Sequence, residues 1–272
     1  IPGYDPIHPR RYRELYRKEG SEQAAISGYE IGLKPGEIKP QYGWQVDAVI
    51  DDTSVHADVD VLVWSDIVRD SMDTSIVATY AQLVRTAWIY ITTGTLRRLM
   101  WMRKGPVIAA LYPVGMLVVQ LILALVAGSI LAGLATFGLT RAVDAFAGLF
   151  GADLNGQAVG WSWAMAVVWW VVFLITLILA LRWFKSKDGR FFAYYLMHDY
   201  AYSAQFRGAN PTPLEDRMSE FGETIADALN SNVDEVLIVG HSSGAHLAVS
   251  ILADLIRAGR VPVDGPALAF LS

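Results

Sequence analysis

The fold is decided by residues 236–249, which read VLIVGHSSGAHLAV. Residues 236–239 form a continuous apolar run, which predicts a buried strand. From Ala245 to Ala258 the apolar residues recur at helical spacing, so a helix is predicted there. Residues 240–244, GHSSG, are therefore expected to form a tight turn that leads from the strand into the helix.

A serine at the centre of such a turn has its hydroxyl in a position suited to nucleophilic catalysis. The turn lifts the Ser242 hydroxyl above the strand. A side chain at Gly240 or Gly244 would crowd the strand and the helix that approach each other there. The backbone N–H of Ser243 points at the place where a substrate carbonyl oxygen becomes negative. An ordinary Gly/Ser turn between a strand and a helix is the alternative interpretation.

The stretch from 239 to 248 resembles the nucleophile elbow of the α/β-hydrolase superfamily, and it looks like the lipase and esterase members. The resemblance implies an α/β fold with a mostly parallel sheet and flanking helices. It also implies hydrolysis of an ester through Ser242. The alternative function is that of a catalytically inactive membrane protein that keeps the elbow for binding or assembly.

Residues 1–4, IPGY, resemble the loop that follows an early core strand in the same family. The resemblance implies that the backbone N–H of Tyr4, or that of Asp5, joins Ser243 in the oxyanion hole. Pro2 stands where many family members have histidine, and an ordinary Pro-Gly turn is the alternative here.

Two apolar stretches predict a transmembrane hairpin. Residues 107–139 carry no charge over 33 positions, and residues 161–181 carry none over 21. Each is long enough to cross a hydrocarbon core of about 30 Å. We therefore predict spans at about 107–139 and 161–184, inserted into a partial α/β-hydrolase. A buried helical hairpin in a soluble protein is the alternative.

Three segments follow from these patterns. Residues 1–104 are expected to hold the first part of the hydrolase core, residues 105–184 the hairpin, and residues 185–272 the second part of the core with the elbow. The further elements predicted from periodicity are helices at 10–27, 74–102, 190–206 and 214–230 and strands at 44–50, 59–64 and 267–271. The helix at 74–102 is expected either to lie at the membrane surface or to pack in a core, and the strand at 59–64 to be buried on both faces of the parallel sheet.

Basic residues flank both predicted spans, whereas the loop at 140–160 contains Arg141 as its single basic residue. The positive-inside rule therefore predicts an integral protein of the inner or plasma membrane with both soluble parts cytoplasmic. The expected partners are the lipid bilayer and an apolar ester. The flanking residues are Arg97, Arg98, Arg103 and Lys104 before the first span and Arg182, Lys185, Lys187 and Arg190 after the second.

A serine nucleophile needs a base and an orienting carboxylate, and the resemblance implies the chain order Ser, acid, His. After Ser242 the chain offers His246, Asp254 and Asp264. We expect His246 to pack beneath the elbow and the two aspartates to have other roles. The triad acid and histidine are therefore expected beyond Ser272, in a longer protein of which this chain is an inactive piece.

Other polar residues are secondary candidates. His8 follows the proposed oxyanion loop and is a candidate pocket residue. Asp66 follows a predicted strand, where it either faces the active-site end of the sheet or caps the next helix.

Composition excludes several classes of function. A net charge of -5 without a basic run argues against nucleic acid as a partner. The chain has no cysteine, so a thiol nucleophile and cysteine-based metal sites are excluded. The histidines match no metal motif, so neither a metal nor another cofactor is expected.

Overall fold

A computed structural model describes residues 1–36, 42–72, 75–149 and 158–272. The chain forms two compact units. The first, which we call the elbow unit, combines Ile1–Met72 with Asn210–Ser272. The second, which we call the helical unit, is Asp73–Ala209.

The prediction of an α/β-hydrolase fold with a mostly parallel sheet is wrong. The protein is 66% helical, and its described strands form two small sheets. The larger sheet is antiparallel in the order β1-β2-β3, and the smaller is a parallel pair. The strands are β1 Glu30–Pro35, β2 Tyr42–Ile50, β3 Thr53–Val61, β4 Glu235–Val239 and β5 Ala267–Leu271.

A two-residue turn explains why the larger sheet is antiparallel. Asp51 and Asp52 have φ values of 48° and 63°, and positive φ at both central residues is the mark of a type I′ hairpin turn. Ile50 pairs with Thr53 across this turn. The prediction of a strand at 59–64 buried on both faces is therefore wrong, because β3 begins at Thr53 and most of its residues are exposed.

One helix packs on the antiparallel sheet, and three further helices and the parallel pair complete the described part of the elbow unit. The predicted helix at 10–27 is confirmed as α1, Arg10–Ser27, and Tyr16 packs against Trp44 of β2. Near the other end of the chain, α9 and α10 pack through buried aliphatic side chains, with Ile225 and Ile251 each at most 3% exposed. The remaining helices of this unit are α2 Ser65–Ser71, α9 Thr212–Leu229 and α10 Ser243–Arg257.

The helical unit contains α3 Ile76–Thr92, α4 Thr95–Leu99, α5 Lys104–Leu149, α6 Ala158–Ser186, α7 Asp188–Phe191 and α8 Ala193–Ala204. The single helix predicted at 74–102 is interrupted, because Gly94 adopts a left-handed conformation with φ of 71°. The helix predicted at 190–206 is likewise divided at Phe192, whose φ is 53°.

The prediction of two long apolar helices is confirmed. Val107–Leu149 and Ser162–Ser186 have mean hydropathies of 2.5 and 2.7, and both are long and apolar enough to cross a membrane. α5 and α6 pack closely at Gly128, where a Cβ atom would lie 3.0 Å from the Phe173 ring. A small residue at this contact lets the two helix backbones approach each other.

Candidate active site

The predicted turn from strand to helix is present in the elbow unit. β4 ends at Val239, α10 begins at Ser243, and the predicted strand and helix are both confirmed. The turn between them is closed by two backbone hydrogen bonds: the Gly244 N–H donates to His241 (2.9 Å), and the Ala245 N–H donates to Ser242 (2.9 Å). The chain thus reverses sharply at the serine.

Ser242 has the backbone conformation of a strained turn. Its φ is 55° and its ψ is −125°, in a region that residues with a side chain rarely occupy. Holding a non-glycine residue in such a conformation costs about 1–3 kcal/mol. The side chain is exposed at the N-terminal end of α10, where the helix dipole favours negative charge.

The two elbow glycines stand where a side chain has no room. A Cβ atom at Gly240 would lie 2.6 Å from Cα of Ala245, within the turn itself. A Cβ atom at Gly244 would overlap the carbonyl oxygens of Ile1 and Pro2. Both obstacles are backbone atoms, which cannot move aside as a flexible side chain can. The geometric role predicted for both glycines is therefore present.

Residues 1–3 run beside β4 on the edge opposite β5. The Ile1 nitrogen donates to the Val239 carbonyl (2.7 Å), and the His241 N–H donates to the Ile1 carbonyl (3.1 Å). This pair of bonds is the pattern of a parallel bridge. On the other edge, the Gly240 N–H donates to the Leu271 carbonyl (2.9 Å). The elbow is therefore held from both sides.

Gly3 brings the predicted oxyanion loop next to the serine. A Cβ atom at Gly3 would lie 3.0 Å from Cβ of Ser242 and 3.0 Å from the His241 carbonyl oxygen. Tyr4 is the next residue, and Ser243 is the first residue of α10. The structure thus brings together the five residues predicted to build the site, which are Tyr4, Gly240, Ser242, Ser243 and Gly244.

Two residues that sequence reasoning missed hold this loop in place. Trp64 is 2% exposed, its indole N–H donates to the Pro2 carbonyl (2.9 Å), and its ring meets the Tyr4 ring edge-on at 6.0 Å. The Tyr4 hydroxyl is 2.7 Å from the Ser71 hydroxyl. These contacts fix the loop on α2. No local pattern predicts them, because Trp64 and Pro2 are 62 positions apart.

The Ser242 hydroxyl has no hydrogen-bond partner among the described residues. His246 is exposed on α10, so the expectation that it packs beneath the elbow is wrong. The His8 ring accepts the Arg10 N–H at the start of α1 (3.2 Å). His241 is exposed, and its Nδ1 would lie 3.5 Å from a Cβ atom at Gly3. No hydrogen bond joins any of these three histidines to the Ser242 hydroxyl.

The carboxylates near the loop have structural partners. Asp66 lies in the first turn of α2 and forms a bidentate ion pair with Arg217 at 2.8 and 3.0 Å. The hydrogen bonds from Arg217 hold the pKa of the Asp66 carboxyl below its usual value. Asp5 accepts the Tyr12 hydroxyl (2.7 Å) and the Ile7 N–H (2.9 Å). Asp66 therefore connects α2 to α9, and Asp5 holds the loop that precedes α1.

In the described part of the chain, no group of three or more histidine, cysteine or acidic residues is placed to hold a metal ion. Comparison with protein-family models, with curated proteins and with solved structures finds no match to this chain. The function is therefore argued from the geometry of the site.

Proposed function

We propose that this protein is a membrane-anchored serine hydrolase that cleaves an apolar ester, with Ser242 as the nucleophile. The observation that carries the proposal is the backbone conformation of Ser242, at φ 55° and ψ −125° between a strand and a helix. Glycine would adopt this conformation at little cost, so a serine held there is a sign of function. The resemblance of the motif to lipases and esterases supports the same chemistry.

The geometry supports an acyl-transfer mechanism. The Ser242 oxygen attacks the ester carbonyl carbon, whose oxygen becomes negative in the tetrahedral intermediate. The backbone N–H groups of Ser243 and Tyr4 are proposed to hold that oxygen, and the N-terminal end of α10 adds a favourable dipole. The collapse of the intermediate releases the alcohol, and water then hydrolyses the acyl-enzyme.

This mechanism requires a histidine and an acid that the described residues do not place at Ser242. A hydroxyl is a weak nucleophile at neutral pH, and a neighbouring base must accept its proton. We propose that both groups come from outside the described residues. A base that approaches the Ser242 hydroxyl has access to it, because that side chain is exposed.

The location of the enzyme is proposed from the two long apolar helices and the basic residues beside them. The chain would be an integral protein of the inner or plasma membrane, with both soluble parts in the cytoplasm. An enzyme fixed at a membrane meets an apolar ester, such as a lipid, by lateral diffusion. This consideration is the support for an apolar substrate.

The alternative function is binding or assembly by a catalytically inactive protein that retains the elbow. The observation that favours it is the lack of a base or an acid at Ser242 among the described residues. In that case the strained backbone of Ser242 would serve only to maintain the structure of this region. Trp64 holds the neighbouring loop there, and Gly244 lets that loop approach closely.

An ester turnover assay on the intact protein in membranes distinguishes the two functions. Acyl esters of increasing chain length would be compared for the wild type, Ser242→Ala and Ser243→Ala. We expect the first variant to lose turnover by about 10⁴-fold or more, and the second to retain it because its backbone N–H remains. Equal turnover by the wild type and Ser242→Ala, or no turnover by either, would contradict the proposal.

A further inference from the structure

α3 carries large apolar side chains on its outer face. Val77, Val84, Trp88 and Ile91 are 80, 66, 67 and 61% exposed. With 3.6 residues per turn, each residue advances the helix by about 100°, so these four side chains fall within one stripe about 60° wide. A stripe this apolar normally faces the interior of a protein.

The inner face of α3 is mixed: Ile76, Tyr80 and Leu83 pack against an apolar cluster, and two threonines are buried beside them. Thr79 and Thr86 are 0 and 3% exposed, in the helical unit where α3 packs against α8. On the same unit, the Tyr80 hydroxyl donates to the Leu117 carbonyl of α5 (3.1 Å). Threonine is mostly exposed in water-soluble proteins, whereas valine is often buried. α3 therefore buries two threonines while it exposes its most continuous apolar face, an arrangement that water does not favour.

Buried polar groups also occur elsewhere in the helical unit. Gln120 of α5 is 1% exposed, and neither its amide nitrogen nor its amide oxygen is hydrogen-bonded within the described ranges. His198 and Asp199 of α8 are 5 and 9% exposed. The helical unit thus encloses polar groups beside its apolar core and presents large apolar side chains outward, which suits a surrounding medium of lipid.

Charge identifies the kind of lipid. No acidic residue occurs between Asp73 and Asp144. The basic residues of this stretch up to the first residue of α5 are Arg85, Arg97, Arg98, Arg103 and Lys104. The Arg97 guanidinium lies 5.4 Å from the centre of the Trp101 ring, and Trp101 is 78% exposed. Exposed aromatic and basic side chains together are typical of the boundary between water and an anionic membrane.

We infer that the outer face of α3, made of Val77, Val84, Trp88 and Ile91, lies in the interfacial region of a bilayer that contains anionic lipid. Two arguments favour a bilayer over a second copy of the chain. The chain passes from α4 into α5, which is apolar enough to span, within five residues. Pairing with a second copy would bring exclusively basic segments together. An interfacial helix buries its apolar face about 5–10 Å into the headgroup boundary.

The inference does not use Ser242, so it is tested independently of the proposed hydrolase. Because the chain has no cysteine, single cysteines can be introduced at defined positions. We suggest spin labels at Val84→Cys, Trp88→Cys and Ile91→Cys in the intact protein, reconstituted in vesicles of phosphatidylcholine and phosphatidylglycerol. Exposed positions tolerate such substitutions. Because three positions are labelled, the test does not depend on the folding of any single variant. Glu22→Cys on α1, an exposed polar position, is the reference for water, and Ile175→Cys on α6, 53% exposed, is the reference for the candidate span.

The readout is the accessibility of each label to molecular oxygen, which dissolves in lipid, and to a water-soluble nickel chelate. We expect the three α3 labels to collide with oxygen several-fold more than with the chelate, relative to the water reference. Accessibility to the chelate equal to that at Glu22→Cys would overturn the inference. So would spin-spin broadening between labels of two copies, which would show that a second copy covers this face.

Discussion

The elbow unit and the helical unit differ in how many polar side chains they bury beside their apolar cores. The buried residues of the elbow unit are nearly all apolar, and Ser65 is the single buried polar residue in its described part. Among its described residues the helical unit buries apolar side chains such as Leu117 and Met197, and beside them five polar residues, which are Thr79, Thr86, Gln120, His198 and Asp199. Its outer surface carries large apolar side chains, such as Phe137 and Trp163, at 62 and 71% exposure.

This difference shows that the two units suit different surroundings. Burial of apolar surface stabilises a protein only when the alternative is water. In lipid, an outward apolar side chain costs nothing, whereas a polar group is better placed inside. The contrast therefore supports the view that the elbow unit is a water-facing structure and the helical unit a lipid-facing one.

The contrast is tested most strongly by placing one charge on each unit. Ile130 of α5 and Ile256 of α10 are similarly exposed, at 56 and 61%. We expect Ile130→Arg to reduce the free energy of unfolding in vesicles by about 3 kcal/mol, the cost of arginine near the bilayer centre. Ile256→Arg should change it by less than about 0.5 kcal/mol, as surface substitutions in water do. Equal effects of the two substitutions on the free energy of unfolding would contradict the proposed difference between the surroundings of the two units.

A smaller effect is expected from two glycines inside the elbow unit. Gly244→Ala would place a Cβ atom on backbone carbonyl oxygens, so we expect a loss of about 2–3 kcal/mol in the free energy of unfolding. Gly222→Ala is the matched control, because its Cβ atom would make ordinary contacts of 3.8 Å with Ile251 and 3.9 Å with Leu255. Thermal unfolding of both variants in detergent measures the difference. If neither substitution lowered the free energy of unfolding, the close contact between Gly244 and the carbonyl oxygens of residues 1 and 2 would be contradicted.

The smallest predicted effect concerns the strain at the serine. Ser242→Gly removes the cost of a positive φ, so we expect it to raise the free energy of unfolding by about 1 kcal/mol while it abolishes ester turnover. Ser243→Gly, within α10, should instead lower stability slightly, because glycine weakens helices. A destabilised Ser242→Gly variant would mean that the serine side chain holds the turn together.

Local patterns in the sequence predict the elements around the site well. The run at 236–239, the glycines at 240 and 244, and the helical spacing from Ala245 predict β4, the turn and α10. Absence of charge is an equally local property, and it predicts α5 and α6. In both cases the signal lies within the segment that it describes.

The remaining features depend on single backbone conformations or on distant contacts. Asp51 and Asp52 connect β2 and β3 as an antiparallel hairpin, and the sequence pattern at 59–64 did not predict this turn. The breaks at Gly94 and Phe192 are left-handed residues within continuous helical patterns. The hydrogen bond from the Trp64 indole to the Pro2 carbonyl joins two positions that no local sequence pattern relates.

The central claim is that Ser242 is an activated nucleophile. A fluorophosphonate probe tests it most directly, because such a probe reacts covalently with activated serines. With the intact protein in membranes, we predict one adduct, located by mass spectrometry on Ser242, which is absent in Ser242→Ala and retained in Ser243→Ala. Persistent labelling of Ser242→Ala, or an unlabelled wild-type protein, would contradict the account.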